Sequence, residues 1–204
     1  MKLDAKTIKK KEKEYYEERS KEEFEDFKNC PLFIREQEQL KRLPNSLSKP
    51  FGEEGGWGMH DLVWIAYWKS QSQPHLLKNN KKKVKKIFDE VKKLDENKVE
   101  KRVDKLKELK GVGTAVASVI LTFMDPERYT VIDQHAVRAL KHYNKLEDVD
   151  EDIPESGFDS SHYEKYLKIC EVLADEILED DYEYPLRTLD RVLWNIGKEI
   201  KNNE

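Results

Sequence analysis

Apolar residues along this chain recur at spacings of three and four, the repeat of a helix that buries one face, and nowhere alternate as a half-buried strand would. Val84, Ile87, Phe88, Val91 and Leu94 form one such stripe with lysines opposite. Val99, Val103, Leu106 and Leu109 form the next. A charged first helix is predicted over 5–28, carrying Ile8, Tyr15, Tyr16, Phe24 and Phe27. A shorter one over 32–43 stops before Pro44. Pro50 and the glycines at 52, 55, 56 and 58 make 44–58 a loop. The aromatic stretch MHDLVWIAYWKS predicts a third helix over 59–70. Ala115 to Met124 is apolar at almost every position, so a helix there is expected to be buried on all sides. An extended link, DPERYTVID, ends at Asp133, which stands where an N-cap belongs before a helix reaching about residue 143. Two further helices, about 158–179 and 186–201, the second entered through Pro185, complete an all-α chain without internal repeats.

Length and composition narrow the class. With 204 residues there is enough chain for one substantial domain or two small lobes sharing a core. No apolar run is long enough to span a bilayer, and no basic-then-apolar leader opens the sequence. Cys30 and Cys170 lie far apart, a pattern of neither a disulfide framework nor a cysteine-held zinc or iron–sulfur cage. An intracellular protein without such a metal is expected, nucleoid-associated if prokaryotic.

Charge adds a direction. The net charge of -4 argues against a polyanionic partner, but it averages two opposed regions. His75 to Thr114 holds fourteen basic and seven acidic residues, whereas Asn144 to Tyr184 holds three and fifteen. Such a bipolar chain can turn one face to a polyanion. Runs of this kind also serve as ordinary solvated helix faces.

The stretch LKGVGTAVAS breaks the pattern with two glycines, Gly111 and Gly113, each costing a helix roughly 1 kcal/mol relative to alanine. A helix over 98–109, the turn KGVG and a helix over 114–124 make a helix–hairpin–helix. Val112 can anchor the turn in the core while the glycines permit close backbone approach. The free N–H groups at the second helix's start could then meet a phosphate oxygen. Alanine in place of Gly113 is expected to crowd that phosphate and to strain the turn. A plain turn between two core helices explains a lone GxG equally well.

The residues beyond the hairpin favour the phosphate-binding turn. LKGVGTAVASVILTFMDPERYTVIDQHAVRAL resembles the helix–hairpin–helix DNA glycosylases of base-excision repair, through the hairpin, the alanine-rich buried helix and the Asp-x-His-x-x-Arg segment of VIDQHAVRAL. The resemblance implies two helical lobes with a cleft between them for a flipped nucleotide. One lobe would span 36–128 and contain the hairpin; the other would join 1–35 to 129–204 and carry Asp133. It also implies double-stranded DNA bearing a lesion or mismatch as partner, a monomer, no membrane and no cofactor, with room for a monovalent cation at the hairpin. Asp133 takes the catalytic position, stabilising the oxocarbenium-like sugar and orienting water, although an aspartate there can also simply cap its helix. Gly111, Val112 and Gly113, flanked by Lys107 and Lys110, would hold phosphate. His135 would contact backbone or phosphate beside the flipped nucleotide, unless it is a satisfied core histidine. Arg138 more naturally pairs with a carboxylate.

One departure sets the expected chemistry. The family's Schiff-base lysine slot falls on Ala115, eighteen residues before Asp133, so a monofunctional hydrolase that leaves an abasic site is favoured. Lys69, in the aromatic helix, is the lysine that could substitute and give lyase activity. Trp57, in the glycine-rich loop, is a candidate lid over a base. Trp64 and Trp68 are candidate stacking surfaces whose spacing equally suits core, and Gln71 is a candidate duplex wedge. A non-catalytic DNA-binding hairpin module is the rival reading.

Overall fold

The structure, a computed structural model, describes residues 4–21, 23, 27–69, 81–143, 153–178 and 182–203. Every regular element among them is helical, as the apolar spacing predicts. Helix α1 (Ala5–Ser20) opens on Asp4, whose carboxylate accepts from the Thr7 N–H at 2.8 Å. It closes at Lys21, in the left-handed region at φ 61°, well short of residue 28. The aromatic spacing continues past this break, and no proline or glycine marks it. A single 3₁₀ turn, Phe27–Asn29, then leads into α2 (Pro31–Asn45).

Helix α2 does not stop before Pro44 but runs through it. A proline in the last turn forfeits a single helical donor, and side chains add to the backbone bonds that close the helix. The Ser46 hydroxyl donates to Arg42 O at 2.7 Å, and the Trp57 indole donates to Leu43 O at 2.7 Å. The remaining helices are α3 (Met59–Lys69), α4 (Lys81–Lys93), α5 (Val99–Lys107), α6 (Thr114–Met124), α7 (Gln134–His142), α8 (Ser160–Ile177) and α9 (Pro185–Asn203).

Helix α6 is the centre of the packing, with α2, α3, α5 and α8 around it. Val119, Ile120, Leu121 and Phe123 are all but fully buried, each such side chain contributing roughly 1.5–3 kcal/mol. Its first turn departs from the expectation of burial on all sides: Ala115 and Val116 are only partly covered, because the hairpin opens there to solvent. Helix α9 lies along α7 and also packs on α1 and α8, so both chain ends meet beside the segment that carries Asp133.

The joint between α1, α2 and α9 is ionic and buried. Arg187 Nε donates to Glu36 Oε1 at 2.7 Å and its Nη2 to the Tyr15 hydroxyl at 2.9 Å, while Nη1 pairs with Asp190. Arg191 reaches Glu12 at 2.7 Å and the same Glu36 oxygen at 3.1 Å. Burial alone would push the Glu36 carboxyl up, but the two guanidiniums outweigh it and hold the group at about 2. None of the described helices is long and apolar enough to cross a membrane. Among the described residues no cluster of three or more His, Cys, Asp or Glu could hold a metal ion.

Candidate functional site

Asp133 ends the extended link at φ -145° and ψ 149° and caps α7. Its Oδ1 accepts from the His135 N–H at 2.9 Å, which leaves Oδ2 to accept from Lys69 Nζ at 2.5 Å. Lys69 closes α3 and is held a second time, by the Ile132 carbonyl at 3.2 Å. Both side chains are largely buried, 11% and 18% exposed, so their attraction is less screened than that of a surface pair. Burial pushes the Asp133 carboxyl up, yet the Lys69 ammonium and the two hydrogen bonds together hold it below the ordinary aspartate value. The carboxylate is therefore charged at neutral pH, and the helix N-terminus favours that charge.

The backbone that places this pair is fixed from α6. Ser118, on the inner face of that helix, accepts the Ile132 N–H at 3.1 Å and donates to Ala115 O at 2.8 Å, tying the extended link before Asp133 to the hairpin's second helix. Together Asp133, Lys69, Trp68, Arg19, Arg187 and Asp190 line a small cavity of about 30 Å³. Asp190, paired with Arg187, lines the same cavity, and burial pushes its carboxyl up to about 6. A larger groove of about 690 Å³, lined by Phe33, Ile34 and Tyr184 among others, includes neither Asp133 nor Lys69.

The hairpin is built as the two glycines suggest, though they differ in what they do. Val112 is buried and its N–H donates to Leu109 O at 3.0 Å, anchoring the turn. Gly111 sits at φ 87°, a conformation that favours glycine, so the turn itself demands it. Gly113 caps α6 at φ -90° and is exposed, and a Cβ built there meets nothing within 4 Å. The expectation that alanine at 113 would strain the turn is therefore corrected: the strain belongs to Gly111. Lys107 and Lys110 are exposed beside the turn, Lys107 pairing with Asp104 at 3.4 Å.

The aromatic candidates separate. Trp57 is 2% exposed, packs at 4.9 Å on Phe88 and spends its N–H on Leu43, so it has no face left for a base and is a core residue rather than a lid. The physical reason is its size: the glycine-rich loop folds back to bury an indole that solvent would otherwise wet. Trp64 is half-buried with its edge on Phe123 at 5.3 Å, and Trp68 reaches the same ring at 5.9 Å, a core stripe in keeping with their spacing. Of these three, Trp68 also borders the Asp133–Lys69 cavity. Gln71 lies outside the described residues.

His135 is engaged within the protein. Its ring meets Trp194 edge-on at 5.6 Å, lies 3.3 Å from Arg138 Nη1 and hydrogen-bonds to the Gly197 backbone. Burial pushes the imidazole below its ordinary value, against the opposing pull of Asp133. Arg138 pairs with Glu155 at 2.5 Å. Sequence reasoning missed Ser118, Arg19, Arg187, Asp190 and Gly197. The cue for Gly197 was a lone glycine inside the amphipathic pattern of 186–201, where helix propensity argues against it. Comparison with protein-family models, with curated proteins and with solved structures yields no match to this chain.

Proposed function

We propose that this protein is a DNA glycosylase that flips a damaged or mismatched base out of the duplex and cleaves its N-glycosidic bond. The observation that carries the reading is the Asp133–Lys69 contact at 2.5 Å, at a helix N-terminus and joined through Ser118 to the hairpin helix. As the C1′–N bond breaks, positive charge develops on the sugar, and a pre-set carboxylate stabilises it while orienting the attacking water. In this reading 36–128 and the two chain ends act as lobes. The Asp133–Lys69 cavity has room for only about one water, so in this reading a nucleotide enters only as the lobes part. A non-catalytic binder would not need a carboxylate where the sugar would lie, and a negative charge there would repel phosphate.

Ala115 favours simple hydrolysis, but the position of Lys69 supports a second reading. A lysine that has given up its proton to solvent is a free amine beside C1′. Its nitrogen bonds to C1′ as the base leaves with its electron pair and takes up a proton. Opening of the sugar ring then gives an imine, from which the strand can be cut. Borohydride separates the two. Covalent protein–DNA adduct that disappears in Lys69→Ala establishes the lysine route; no adduct, with strand cleavage only on added alkali, establishes hydrolysis.

The hairpin makes its own prediction in this reading. Gly111→Ala should lower stability by about 1–2 kcal/mol through its left-handed backbone. Gly113→Ala should leave the melting temperature near wild type, yet weaken duplex binding roughly tenfold by setting a methyl group between α6 and a phosphate. Equal duplex affinity for Gly113→Ala and wild type would reduce the hairpin to a turn.

A further inference from the structure

Acidic side chains are in surplus in this chain, 42 against 38 Lys and Arg, so a basic group without an acidic partner is not explained by shortage. Arg19 is such a group, in the last turn of α1 and partly buried. Its Nη2 donates to the Trp68 carbonyl at 3.0 Å. Its guanidinium carbon lies 5.1 Å from the centre of the Trp68 ring and 5.5 Å from that of Tyr15. Among the described residues no carboxylate pairs with it. Arg187, the other arginine at the Trp68 ring (4.8 Å), holds both Glu36 and Asp190. The two arginines share one cavity and one aromatic surface, but only one of them is neutralised.

A guanidinium carries five N–H donors in a planar fork, and one carbonyl satisfies only a single donor. Ring faces offset part of the charge without using the donors directed in the guanidinium plane. The result is a fork fixed in orientation by two rings and a backbone oxygen, bordering the cavity that holds Asp133 and Lys69. A planar, pre-oriented fork matches the two free oxygens of a phosphodiester. We propose that Arg19 is a phosphate clamp, binding the phosphodiester next to the nucleotide whose sugar lies at Asp133 and Lys69. The proposal rests on the glycosylase reading and adds to it the residue that sets the reacting sugar in place from the α1 side, opposite to the hairpin's grip in sequence and in helix.

Single neutral methylphosphonates placed along a duplex around a stable abasic-site analogue test it. One position flanking the analogue should weaken wild-type binding roughly tenfold and leave Arg19→Ala binding unchanged, because the contact is already lost. Arg19→Ala should also lower the slope of log affinity against log salt by about 0.9, the value for one duplex phosphate. Arg19→Lys, which keeps the charge, should retain the slope but lose part of the affinity, and the neutral Arg19→Gln stands in for Arg19→Ala if that variant melts early. If every methylphosphonate weakens wild type and the neutral Arg19 variant equally, Arg19 only props Trp68 and the clamp is wrong. If wild type ignores the duplex altogether, the glycosylase reading fails and takes the clamp with it.

Discussion

Gly197→Ala is expected to cost on the order of 3 kcal/mol of stability, read as a shifted midpoint in urea unfolding. A Cβ at this position would lie 1.8 Å from the His135 carbonyl oxygen, 2.5 Å from its carbon and 2.9 Å from its Cα. All three are backbone atoms of the first turn of α7, so no side-chain rotation relieves the overlap. Helix α9 must move off α7 instead, and with it goes the His135 contact to the Gly197 backbone. Because Asp133 caps that same turn, the displacement should also pull the carboxylate away from Lys69. A shift of about 1 Å at a reacting group can cost roughly 100-fold in rate, so activity should fall even where the variant remains folded. An unfolding free energy close to that of wild type would mean that the two helices are not held in such close backbone contact.

Asp133→Asn should separate chemistry from architecture. Asparagine caps helices about as well as aspartate, so the bond to the His135 N–H survives, but the largely buried Lys69 ammonium loses its carboxylate, and stability should fall by about 2–4 kcal/mol with the fold retained. What is lost is the charge facing Lys69. Base release should fall roughly 10²- to 10³-fold, the scale on which pre-set electrostatic stabilisation acts, while duplex affinity stays equal or rises as one negative charge leaves the site. The low-lying Asp133 carboxyl means that wild-type activity should not be lost by protonation of this group until the pH falls below the ordinary aspartate range. Single-turnover excision and binding, measured on the same substrate, check both halves.

The all-helical class, the hairpin and the N-cap role of Asp133 were legible in the sequence because each rests on local spacing. Val112 between two glycines, and an aspartate before QHAVRAL, signal their conformations within a few residues. The Asp133–Lys69 contact was not legible, because it joins residues sixty-four apart whose meeting depends on how α3 packs against α6. Lys69 could be named as a lysine able to substitute but not placed. The buried network was hidden for another reason. Nothing in the local spacing marks Arg187, Asp190 and Arg191 as interior, and only the meeting of the two arginines with Glu36 from a distant helix shows the charges to be buried. Trp57 shows the reverse error: a glycine-rich context suggested an accessible indole, while its packing partner Phe88 lies in an element that the loop sequence cannot reveal.

If the Asp133–Lys69 site is a glycosylase centre, it must release a base from duplex DNA, and that release can be measured. The wild-type protein is incubated with a panel of duplexes, each carrying one lesion or mismatch, and free base is detected by mass spectrometry, with Asp133→Asn run beside it. Release of at least one base by wild type, and its loss in Asp133→Asn, is the predicted result. Release that is undiminished in Asp133→Asn, or no release from any duplex by a folded protein, would contradict it.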